Sequence, residues 1–304
     1  METLPFLGHR EIFQALETQR RADRLPHALL FLGPEGVGKQ KVARHLAERL
    51  LCHDAKPPCR TCASCRLFIS GRHPDLWVLE PENGRVKIDA VRELKKSLTF
   101  APLAGTQRVI LLPETHALNQ AAANALLKTL EEPPEATYFF LVTHAPGWVP
   151  KTIVSRCQKV RFPPLSETEL KAVLKSQGLE PDASTLNWAQ GSAQAAIRLA
   201  AAAEKFPAVE SLWPGPGGLS VDAAYTLGQS SAEDEQRYVF LDALLADTHR
   251  ILTQGRAPEA RRFELLAFAE RIFEFRRELR QNANPKLHLP RLLMFFQEPL
   301  GSRL

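Results

Sequence analysis

The 304-residue sequence has no apolar run approaching the ~18 residues that a membrane span needs. Its start, METLPFLGHREIFQALETQ, lacks a basic segment followed by an apolar one, so a secretory signal is not expected. Together these absences predict a cytoplasmic protein with no membrane partner. Cysteine is scarce, at five residues, and in a reducing compartment such thiols are not expected to form a disulfide framework. What remains is ordinary for a soluble chain of two or three domains: 44% hydrophobic and 24% charged residues.

Charge is unevenly placed. Residues 1–162 hold 23 Lys and Arg against 16 Asp and Glu, a net of +7, whereas residues 163–304 net −2. The N-terminal excess suits a phosphate-rich partner. Charge alone is described at least as well by a solvated basic face.

The first 162 residues alternate two periodicities. Short apolar runs at 28–32, 76–80, 109–112, 138–143 and 158–162 read as strands. Between them, 39–51, 89–100 (with Asp89 as N-cap) and 119–131 read as amphipathic helices. Strands separated by helices predict a parallel sheet covered on both faces. After Pro163-Pro164 the strand signals fade. Helices are expected at 166–176, opened by a capping-box-like Ser-Glu-Thr-Glu, then at 185–190 and 193–205. A Pro/Gly-rich break at 213–218 precedes helices near 220–228, 233–254 and 258–281, with another after Pro290. The expected division is an α/β domain at 1–163, a small helical domain at 164–206 and a helical C-terminal domain at 207–304.

GPEGVGK at 33–39 fits the first seven positions of the phosphate-loop pattern, between a strand and a helix where the mechanism requires it. Gly33, Gly36 and Gly38 let backbone N–H groups curl around a phosphate, and Lys39 adds a point charge. The eighth position is Gln40, without the hydroxyl that ligates Mg²⁺ in such loops. The third strand ends Val109-Ile-Leu-Leu112-Pro113-Glu114, where a P-loop ATPase places a metal-binding Asp. Pro113 cannot coordinate a metal. Hydrolysis by this chain is therefore not expected, and nucleotide binding is doubtful.

Cys52, Cys59, Cys62 and Cys65 follow the spacing C-x6-C-x2-C-x2-C. Two successive C-x2-C steps bring thiolates to one ion, and tetrahedral Zn²⁺ accepts four. A structural zinc module inserted between the P-loop helix and the next strand is the leading reading. Redox cysteines and an iron–sulfur cluster share the spacing. Cys157 reads as a small buried apolar residue.

The order of P-loop, cysteine cluster, GRHPD at 71–75, NALLKTLEEPP at 124–134 and SRC at 155–157 resembles the bacterial clamp-loader subunits of the AAA+ class. The resemblance is close over about residues 1–205; beyond them it holds only in kind, as a helical collar. It implies an AAA+ domain, a helical lid and an oligomerising collar. It also implies membership of the DNA polymerase III holoenzyme, in a hetero-oligomeric ring with gamma/tau and delta subunits. That ring acts on a sliding clamp and primed DNA. Gln40, Pro113 and Gln194, where the motor subunit carries a sensor Arg, place the chain with the non-hydrolysing member. The resemblance gives Arg156 a role in trans, as an arginine finger in a neighbouring subunit's ATP site. It also sets Lys95-Lys96 on a helix that faces DNA in related loaders, although exposed lysines alone read as a solvated face. A divergent gamma/tau-type motor subunit and a stand-alone zinc-containing nucleic-acid binder are the competing readings.

Overall fold

The computed structural model describes residues 4–82, 84–180, 183–203, 209–212, 220, 222–223, 226–227, 234–255, 259–280 and 284–295. The chain divides into two compact units, Met1–Glu169 and Leu170–Leu304. The boundary expected at 206 and the Pro/Gly-rich break at 213–218 lie outside the described residues, as do residues 221, 224, 225 and 228 of the helix expected at 220–228.

In the first unit, α1 (Arg10–Arg21) leads into β1 (Ala28–Leu32) and α2 (Lys39–Leu51). Then follow α3 (Ala63–Ile69), β2 (Leu76–Val78), α4 (Ile88–Ser97), β3 (Arg108–Leu112), α5 (Gln120–Glu131), β4 (Thr137–Thr143), α6 (Lys151–Val154) and β5 (Gln158–Arg161). The five strands form one sheet in the order β2-β3-β4-β1-β5, and every pairing is parallel. β1 and β3 are buried along their whole length, which is why they read as continuous apolar runs. Alternation of side chains splits the core in two. Leu30, Ile110, Phe139 and Leu141 meet Val91 and Leu94 of α4 and Leu126 and Leu130 of α5. Leu29, Phe31, Leu111 and Phe140 meet Phe13 and Leu16 of α1 and Val42 and Leu46 of α2 on the other face.

The second unit holds α8 (Ala183–Ala189), α9 (Ala193–Ala203), α10 (Asp234–Thr253), α11 (Glu259–Arg280) and α12 (Pro285–Leu293). α7 (Glu167–Ser176) begins at the boundary. Phe240, Leu244, Phe268, Ile272, Phe275, Leu289 and Leu292 form the second unit's core. No helix among the described residues is long and apolar enough to cross a membrane.

Two expected helix starts are corrected. Lys87, in extended backbone, is the N-cap of α4, and Asp89 lies within the first turn, paired with Arg92 at 3.0 Å. The last helix begins at Pro285 rather than after Pro290. Asn284 caps it by accepting from Lys286 N, and Pro285 sits in the first turn, where its missing N–H costs nothing. α1 carries no start signal, because its N-cap His9 adopts left-handed φ 52° and offers no side-chain cap.

Candidate functional site

The phosphate loop leaves β1 at the C-terminal edge of the sheet, where parallel α/β folds bind ligands. A Cβ at Gly33 would lie 2.2 Å from the Phe162 carbonyl oxygen, so the loop and the chain after β5 touch backbone to backbone. Gly38 caps α2 at φ 102°, a conformation side chains rarely adopt. Lys39 is only 5% exposed. Its Nζ turns back to donate to the Gly33 carbonyl at 2.8 Å and to the Pro34 carbonyl. Burial pulls its pKa down to about 8, against the opposing charge of Glu35. His9 Nε2 donates to the Val37 carbonyl at 2.9 Å, pinning the loop from the side. Burial lowers the His9 pKa.

Gln40 and Glu114 are exposed, and Pro113 is half-buried with no side-chain oxygen to offer a metal. Two residues that the sequence reading passed over complete this edge. His116 and His144 stand ring to ring at 4.3 Å, and His116 Nδ1 lies 3.2 Å from Thr143 Oγ1. Burial lowers the His116 pKa first; Glu114, Glu35 and Lys39 also act on it, which places it in the loop's electrostatic surroundings. Their positions after β3 and β4 were the available signal, since strand C-termini line the crevice of such sheets. Gln194 lies exposed on α9 in the second unit.

The structure gathers Cys52, Cys59, Cys62 and Cys65, their sulfurs all within 4.8 Å of one another. Four sulfurs about 2.3 Å from one Zn²⁺ would stand about 3.8 Å apart. Cys52–Cys59 at 3.7 Å and Cys59–Cys65 at 3.9 Å match that edge. Backbone N–H groups point at the sulfurs: Asp54 and Cys59 at Cys52, Cys62 at Cys59, and Cys65 at Cys62, at 3.3–3.4 Å. The N–H donors of Cys62 and Thr61 hold the Cys59 thiol down at about 6. The donor set thus fits a tetrahedral metal ion. All four positions come from protein, so such an ion would hold the module together and leave no open coordination for chemistry. Cys157 is buried, and burial pushes its thiol up to about 12.

The GRHPD segment explains how the module attaches. Ser64 on α3 contacts His73 Nε2 at 2.8 Å and donates to the Leu51 carbonyl, while His73 Nδ1 accepts from Asp75 N at 3.1 Å. Asp75 is fully buried and accepts from Leu103 N and Ala104 N at 2.7 Å each. Arg108 grips the same loop through the Ser97 and Ala101 carbonyls.

Arg156 lies just before β5. Its Nε donates to Glu131 Oε1 at 2.6 Å, its Nη2 pairs with the same oxygen, and its Nη1 donates to the Thr152 carbonyl at 2.9 Å. The register sets Gln158 beside Leu29 and Arg161 beside Leu32. Arg156 is therefore at the N-terminal edge, more than a strand's length, roughly 13 Å, from the phosphate loop at the other edge. Lys95 and Lys96 are exposed on α4.

A parallel five-stranded sheet with this loop between β1 and α2 defines a P-loop α/β protein. The family model described as DNA polymerase III, delta subunit, matches residues 8–166, and the chain belongs to that family. It is 30% identical over 280 residues to DNA polymerase III subunit tau of Escherichia coli (strain K12), covering 88% of this chain and 43% of that protein. To subunit delta' of Pseudomonas aeruginosa it is 42% identical over 141 residues, 45% of this chain and 43% of that one. To subunit delta' of E. coli K12 it is 35% identical over 206 residues, 66% of this chain and 61% of that one. The chain thus spans between about a quarter and 43% of the length of the tau relatives it matches. In fold it resembles the crystal structure of a DNA polymerase III, gamma subunit-related protein from Thermotoga maritima. The TM-score is 0.52 at 20% identity, over 93% of this chain and 98% of that one.

Proposed function

We propose that the chain is a delta-prime-type subunit of the DNA polymerase III clamp loader, without ATPase activity of its own. In this reading the AAA+ domain spans 1–163, the lid 164–206 and the collar 207–304. Its partners are gamma/tau and delta subunits in a hetero-oligomeric ring acting on the sliding clamp and primed DNA. The observation that carries the reading is a division of labour between two edges of one sheet. At the C-terminal edge the loop keeps Gly33, Gly36, Gly38 and Lys39, but Gln40 offers only a longer amide in place of the metal-binding hydroxyl, Pro113 offers no side-chain ligand, and Lys39 donates to the loop's own carbonyls. At the opposite edge Arg156, too far to serve that loop, is half-buried and paired with Glu131. An arginine placed there acts on a phosphate in another subunit, where such fingers are worth roughly 10³–10⁵ in rate. Zn²⁺ in the cysteine cluster serves as a structural clip.

The test is the reconstituted ring. Arg156→Ala is expected to leave assembly intact and to lower DNA-stimulated ATPase by at least about tenfold. Unchanged turnover in an assembled mutant ring overturns the arginine's role. The match to tau over 88% of the chain favours a second reading, a divergent motor subunit in which Glu114 and Gln40 suffice. ATP turnover by the purified chain that disappears in Lys39→Ala would establish it instead.

A further inference from the structure

The guanidinium of Arg156 is occupied by its own chain. Such a group has two edges that can grip an oxyanion with paired N–H donors. The Nε–Nη2 edge is taken by Glu131: Nε donates to Oε1 at 2.6 Å, and Nη2 donates to the same oxygen. On the other edge Nη1 donates to the Thr152 carbonyl at 2.9 Å and to Ser155 Oγ at 3.3 Å. The two sets of bonds differ in kind. Thr152 lies in the short helix α6, whose last carbonyls lack helical partners, so Nη1 caps the helix that Arg156 follows and fixes one corner of the group.

Glu131 is not explained by its own helix. It is the last residue of α5, at the negative end of the helix dipole, where a cation is favoured and a carboxylate is not. What it does there is present an anionic oxygen to the Nε–Nη2 edge, the same chemistry that a phosphate offers. Glu131 therefore sits where a phosphate would bind. Exchange between the two costs little, because the side chains of Arg156 and Glu131 are 31% and 46% exposed and such partly solvated pairs are weak. We propose that Glu131 is a positioning residue for Arg156, a latch that holds the Nε–Nη2 edge and yields it to a nucleotide phosphate on a neighbouring subunit. Nη1, tied to α6, is the pivot of that exchange. The proposal rests on the reading of Arg156 as acting in trans.

Rings reconstituted with the wild-type chain, Glu131→Gln, Arg156→Ala and the double variant test it, by steady-state ATPase with and without primed DNA. Gln keeps the shape of Glu131 and removes its charge, so Arg156 is released more readily. Glu131→Gln is expected to raise kcat/KM for ATP without DNA about two- to fivefold, and to narrow the stimulation that DNA gives. In the Arg156→Ala background the same change should have no effect, whereas a merely structural role of Glu131 would survive the loss of Arg156. Glu131→Asp, with its charge on a shorter stem, should give a smaller rise. It decides alone if circular dichroism shows that the Gln variant fails to fold. An unchanged or lowered kcat/KM in the folded variant, in rings that still depend on Arg156, overturns the latch alone. So does an effect of Glu131→Gln that persists without Arg156. Full ATPase in Arg156→Ala rings overturns both the latch and the role in trans, so the two failures are told apart.

Discussion

Single buried polar groups hold much of the first unit, and their energetics can be tested one at a time. Asp75 accepts two backbone N–H groups in a site closed to water. Asp75→Ala would strand both donors and should cost about 3 kcal/mol, read as a fall in denaturant midpoint. Glu17 is subtler. Burial alone would raise its pKa, but hydrogen bonds from Arg20 and Arg21, and the charges of Arg20 and Arg49, hold it at about 2. A carboxyl lowered from the ordinary 4.5 stabilises the fold above that value, and this contribution is lost as pH falls towards 2. Thermal midpoints measured between pH 5 and pH 2 should therefore fall more steeply for the wild type than for Glu17→Gln. Parallel curves would show that Glu17 is not linked to unfolding. Neither residue was visible as important in the sequence. Asp75 stood inside a motif, but its donors, Leu103 N and Ala104 N, lie 28 and 29 residues away, and no local pattern encodes such a contact.

At the scale of elements, legibility tracked how local the cause was. β1, β3 and β4 were read nearly in full because strands buried on both faces are written as unbroken apolar runs. α5 was read to within a residue because Asn119 caps it through its own side chain. α1 was missed because nothing in the sequence marks a start at a left-handed histidine. The cysteine cluster was fully legible, since its four cysteines come from one short stretch. Its fastening was not, because the Ser64–His73 contact follows from how α3 settles against β2. The module should carry one Zn²⁺ per chain by elemental analysis. Cys62→Ser or chelation should release the metal and lower the melting midpoint by several degrees, while the sheet keeps its circular-dichroism signature. Full retention of metal in Cys62→Ser would remove Cys62 from the ligand set.

For the whole molecule, the sheet's polarity organises the rest. Every strand points the same way, so one edge collects the phosphate loop, Glu114, His116 and His144, and the other collects Glu131 and Arg156. Motif spacing reported what each group was, and topology reported that Arg156 and the loop belong to different edges. In the second unit, α11 faces both its own core and solvent with apolar side chains. The sequence offered a helix there but not which stripe would be left uncovered, because the strand-free region gives no pattern for choosing between two apolar stripes.

The turned-back lysine has a consequence for information as well as for chemistry. A sensor needs two states of comparable energy that its signal can tip. Lys39 already has partners in the Gly33 and Pro34 carbonyls, so an arriving phosphate must first break those hydrogen bonds and pay for them out of its own affinity. The loop is thus biased towards a single resting state. If the chain sits in the ring proposed above, its loop would be the fixed mark against which the movements of the other members are measured.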